Sequence, residues 1–311
     1  MPFPSPLYFF AMRRLRTTLS AALVAGTLTL GGCNAFESFY SDASSDNAAA
    51  LVTSAQNALQ QGNAARAADL FGQALQSAPA GSEAQARAAN GFATATFEHA
   101  GVSVLNFDRI ASDLSARFDG GGQPSGTVPT GVCSFALPER AGQEIRLDEI
   151  DGYPVLRASV AALAATRSAL ATAYGLPATP GPNYDGAALA ARLRARGLST
   201  NEASSALLNI TLAYSATAFH RVAQAGGESI RWYEVIPPTG DSYIGYCAPS
   251  AAVEQQVRRE ASCSMGDIGF SIALLKGRNS LFAPGSLSGD LVTQAEDAYR
   301  RLSAEIGTTC N

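Results

Sequence analysis

Lysine is almost missing from this chain: Lys276 is the only one, and every other basic residue is an arginine. Charged residues of both signs make up only 15% of the 311 positions, and the formal net charge is −4. That composition excludes the basic surface on which nucleic-acid binding rests, so no nucleic-acid partner is expected. Histidine is nearly as scarce, with His99 and His220 alone. A metal site needs several thiolates or imidazoles at short spacing, and two distant histidines with widely spaced cysteines do not supply one. With charge this low and hydrophobic residues at 47%, the chain is not disordered, and it is long enough to bury a sizeable core. Alanine dominates, and β-branched residues are few, a mix that favours helix over strand.

The usual chemical signatures are missing too. There is no Gly-x-Ser-x-Gly elbow and no His-Glu-x-x-His pair. Gly120, Gly121 and Gly122 are not followed by Gly-Lys-Ser/Thr, so they do not form a phosphate-binding loop. Asp148, Glu149 and Asp151 lack the alternating oxygen ligands of a calcium loop and read as a solvated turn. His220 stands beside Arg221 with no partner of catalytic type and reads as a structural or exposed side chain. The chain is therefore expected not to be an enzyme: no catalytic residue is assigned, and neither a metal nor a cofactor is expected.

What is present begins at the amino end. Met12, Arg13, Arg14 and Arg16 form a charged start, and an apolar run of small and aliphatic residues fills 19–30. About 12 residues are too few to span a bilayer as a helix, but they suit the core of a signal peptide. The run ends in Leu30-Gly31-Gly32-Cys33, which resembles the lipobox of bacterial lipoproteins. The resemblance implies that Met12 is the true start, that 1–32 is removed, and that Cys33 carries the lipid. Asn34, rather than aspartate, follows the cysteine, which points to the outer membrane over the inner. Removal of 1–32 takes three arginines and no acidic residue, shifting the formal charge from −4 to about −7. An acidic body is repelled by anionic lipid, so the expected membrane contact is the lipid on Cys33.

Four cysteines follow in the exported part: Cys133, Cys247, Cys263 and Cys310. In an oxidising compartment they imply up to two disulfides, with three connectivities open.

Along the body, 33–47 is a polar tether, and Asp46 is a candidate helix cap. Leu51, Ala55, Ala58 and Leu59 recur at helical spacing, as do Ala67, Leu70, Phe71, Ala74 and Leu75. Gly62 marks a turn between two helices, and Pro79 a stop. Ser82 to Gln85 is a capping-box pattern that opens a third helix with Ala88, Phe92 and Ala95 on one face. A fourth is expected over 102–118. Gly62, Ala67, Phe71, Ala74, Leu75 and Pro79 resemble the second half of a tetratricopeptide repeat, and Ala89 and Phe92 fall at the small and aromatic positions of a second copy. Ser54, Ala55 and Ala58 depart from the first half, where the motif prefers larger residues. The resemblance implies helical hairpins of tetratricopeptide-like type over 48–118.

Residues 119–151 read as a Gly/Pro-rich loop and an irregular piece. Residues 152–311 read as a helical remainder packed on 48–118 as one domain. Its helices are expected over 154–174, 186–196, 201–224, 249–264 with a turn or two after Gly266, and 287–305. No charged residue lies between Ala203 and Phe219, which predicts a central helix buried on most sides. Residues 229–247 change character and predict a small hairpin or an extended loop. Trp232, Tyr233, Tyr243 and Tyr246 in that stretch are the candidate partner-binding surface, with core packing round Cys247 as the other account. The expected fold class is mostly α, with helical hairpins, further antiparallel helices and one irregular or small β insertion. The expected role is a lipid-anchored binding or assembly scaffold on the periplasmic side of the envelope, holding a protein or peptide partner. The alternatives are an accessory of a transport system and a cell-wall-active enzyme.

Overall fold

The computed structural model describes residues 48–103, 105–106, 109–110, 112–113, 116, 131–135, 140–177, 181–225, 227–236, 243–279, 296 and 299–300. The segments read as signal peptide, lipobox (Leu30, Gly31, Gly32 and Cys33) and tether, with Asp46, most of the stretch read as a glycine-rich loop, Cys310 and most of the helix expected over 287–305, lie outside them. The chain is mostly helical, with a small antiparallel sheet.

Helix α1 (Ala48–Gln60) and helix α2 (Ala64–Ser77) form a hairpin through a turn in which Gly62 takes a φ of 74°. The Asn63 side chain caps α2 by accepting from the Arg66 amide at 3.2 Å. Helix α3 (Glu83–Ala100) starts at Ser82, whose hydroxyl accepts from the Gln85 amide at 3.1 Å. The expected capping box is offset by one residue, because the Gln85 side chain reaches the Gly81 amide at 2.7 Å. Two apolar clusters meet on α3. Ala88 and Ala95 join Leu51, Val52, Ala55 and Ala58 of α1 and Ala67, Phe71 and Ala74 of α2. Ala86, Ala89, Ala93 and Phe97 enter the larger cluster formed with the later helices. Sequence periodicity identified the first of these faces; the second explains how 48–100 and the remainder share a core. Residues 105, 106, 109, 110, 112, 113 and 116 are helical within the interval expected for a fourth helix.

The stretch 154–174 forms two helices, not one: α4 (Tyr153–Ala158) and α5 (Val160–Tyr174), broken at Ser159. The Ser159 hydroxyl donates to the Ala100 carbonyl at 3.3 Å, which ties the break to the end of α3. Helix α6 (Gly186–Ala195) is capped by Asp185. Helix α7 (Thr200–Gln224) carries a full capping box from Ser199 and Glu202, and its middle is buried, as its uncharged stretch predicts. Among the described residues no helix is long and apolar enough to cross a membrane.

Helix α8 (Ala251–Asn279) runs uninterrupted through Gly266, where the sequence predicts a break. Tertiary packing along α7 outweighs the roughly 1 kcal/mol that each helical glycine costs relative to alanine. One of those glycines serves a close crossing. A Cβ on Gly277 would lie 2.2 Å from the Gly186 backbone, and a Cβ on Gly186 would lie 2.2 Å from the Ala273 carbonyl oxygen. Gly277→Ala should therefore destabilise the protein by about 2 kcal/mol, although helix propensity alone predicts a gain. Urea unfolding checks the sign, and a more stable variant would show that α6 and α8 do not touch there.

Among the described residues four strands interrupt the helices: β1 (Val132–Cys133), β2 (Arg140–Ile145), β3 (Arg231–Ile236) and β4 (Tyr243–Ala248). All are antiparallel, in the order β1-β4-β3-β2. The hairpin expected over 229–247 is β3–β4. Strands β1 and β2 fall in the piece expected to be irregular, because Arg-Ala-Gly-Gln-Glu-Ile shows no apolar alternation; pairing with β3 makes it a strand. Asp148 and Glu149 lie on an exposed single-turn helix, Leu147–Glu149, with Asp151 exposed just beyond it.

Candidate functional site

The aromatic segment takes its geometry from strand alternation. Trp232 stands directly opposite Tyr246, with ring centroids 5.7 Å apart, and this face packs on Ile230, Ala225 and Val257. Tyr233 points to the other face, among Phe135, Val235 and Cys247. Tyr233 and Tyr246 are 4% and 1% exposed, while Trp232 is half-buried. The Tyr243 backbone belongs to β4, but its side chain lies outside what is described. Burial, followed by the nearby Glu254 carboxylate, pushes the Tyr246 hydroxyl up to about 12. The two buried tyrosines thus act as core on either side of a thin sheet.

Cysteine pairing belongs to the same sheet. Cys133 of β1 faces Cys247 of β4 and is bonded to it, closing 114 residues of chain. Ser134 adds two bonds beside the bridge: its amide donates to the Tyr246 carbonyl at 2.8 Å, and its hydroxyl accepts from the Tyr246 amide at 3.0 Å. Cys263 in α8 is also disulfide-bonded.

A second polar centre, not foreseen from the sequence, lies where α5, α7 and α8 meet. Arg167 of α5 makes a two-pronged contact with Asp267 of α8, at 2.6 and 2.8 Å. It also donates to the Thr217 hydroxyl of α7 at 2.9 Å, and its guanidinium sits 4.0 Å over the Tyr214 ring. Arg221 of α7 reaches the same Asp267 carboxylate at 3.4 Å and Glu260 at 3.8 Å. Tyr214 stacks edge-on against Phe270, which stacks edge-on against Tyr184. Burial raises the Tyr214 hydroxyl, with Arg167 opposing the shift. The signal was present in the sequence: Arg167 occupies a position on the apolar stripe of its helix, where a charge needs a buried partner. Nothing comparable marks Asp267.

His220 is partly buried on α7. Its Nδ1 has no hydrogen-bond partner, and desolvation followed by Arg157 lowers its pKa, favouring the neutral ring. Among the described residues no three His, Cys, Asp or Glu side chains gather as a metal site. A depression of about 550 Å³ lies at the α6–α7 turn, lined by Ala191, Arg194, Ala195, Leu198, Ser199 and Thr200, and is widely open to solvent. Its described lining contains no carboxylate and no histidine. The central ion cluster is closed on itself, with Asp267 held by both arginines. Such an arrangement fixes helices. No family model, no curated protein and no solved structure matches this chain.

Proposed function

We propose that this chain is a lipid-anchored scaffold on the periplasmic side of the envelope, preferentially at the outer membrane, held by an acylated Cys33 and engaging a protein or peptide partner through its helical body. The observation that carries the reading is cysteine chemistry. Cys133, Cys247 and Cys263 are all in disulfides, the state expected of a chain exported to an oxidising compartment and of a signal peptide ending at Cys33. The α1–α2 hairpin supports the scaffold half. Ala67, Phe71 and Ala74, the positions that resemble a tetratricopeptide repeat, all point into the hairpin core. Helix α3 closes that core with one face and anchors it to the bundle with the other. A hairpin supported in this way presents a fixed surface without needing a long repeat array.

The described surface shows few large apolar side chains. Among the described residues the large hydrophobics that stand exposed are Leu105 and Val132. A contact on such a surface is hydrogen-bonded and salt-sensitive, of the reversible kind, in contrast to an obligate apolar interface.

Fractionation of cells expressing Cys33→Ser tests the anchor. The variant should move from the membrane fraction to the soluble periplasmic fraction with its disulfides intact, and a variant that stays with the membrane overturns the assignment. Site-specific photo-crosslinking from exposed positions of α1 and α2 tests the scaffold. One discrete higher-mass species whose yield falls with salt is expected, whereas no adduct from any position on the hairpin argues against a partner there.

A further inference from the structure

We draw no further inference here: the strongest candidate, the open depression at the α6–α7 turn where Arg194 lies beside Ser199 and Thr200, rests on the N-terminus of α7, whose cap is already filled by Glu202, and no second observation among the described residues points to a ligand there.

Discussion

Asp267→Ala should lower the unfolding free energy by about 3 kcal/mol, the lower end of the cost of leaving a charge without its buried counter-ion, because the Arg167 guanidinium is only partly buried. Asp267 is 3% exposed and accepts from Arg167 at two points. Removing its carboxylate strands a charge held between three helices, with the Thr217 hydroxyl, the Tyr214 ring and limited contact with water left to it. Arg221 suffers less, because it is more exposed and retains Glu260. The informative comparison is the double variant Arg167→Met with Asp267→Leu, which keeps the volume and removes both charges. It should fall within about 2 kcal/mol of the parent, since a well-packed apolar pair often replaces a buried ion pair without loss. Urea unfolding of the Cys33→Ser chain, followed by circular dichroism, measures all three. A cost below about 1 kcal/mol for Asp267→Ala would mean that water reaches the cluster, as it does at surface pairs.

Replacing Cys133 and Cys247 together by alanine should cost about 3 kcal/mol. The bridge spans 114 residues, so the unfolded chain regains much conformational freedom once it is cut. The folded side contributes less: β1 has only two residues in register with β4, and Phe135 together with the Ser134 bonds keeps part of the contact. The loss should therefore appear as a lower urea midpoint with a larger dependence on denaturant, because the unfolded state becomes more expanded. Cys263 supplies the control. The double alanine variant should still lose stability on adding a dithiol, because that bridge remains to be reduced. If the variant unfolds at the parent's midpoint, then β1 is held by its hydrogen bonds and Phe135 alone.

Much of this architecture was readable in one dimension, for a physical reason: helices and their caps depend on residues within a few positions of one another. The spacing of Leu51, Ala55 and Ala58, the Gly62 turn, the Ser82 cap and the uncharged core of α7 all became the features they predict. The Ser199–Glu202 capping box is equally local. Cysteine content set the expectation of disulfides, and the resemblance of Leu30-Gly31-Gly32-Cys33 to a lipobox set the expectation of an anchor at Cys33.

Tertiary structure decided what distant partners control. A strand such as β2 has no apolar alternation of its own and exists through its pairing with β3. Gly266 did not end α8, because packing along α7 outweighs local propensity over that length. Ser159 broke a helix that composition would have continued, because the end of α3 lies against it. The choice of Cys247 for Cys133 depended on strand register, which no spacing rule contains. The candidate aromatic surface turned on the same register: alternation sent Trp232 and Tyr233 to opposite faces, each with its own cover, so Tyr233 and Tyr246 became core. Composition and local pattern thus determined the helical class and set the expectation of export, while long-range contacts determined which polar groups are buried together and which side chains stay exposed.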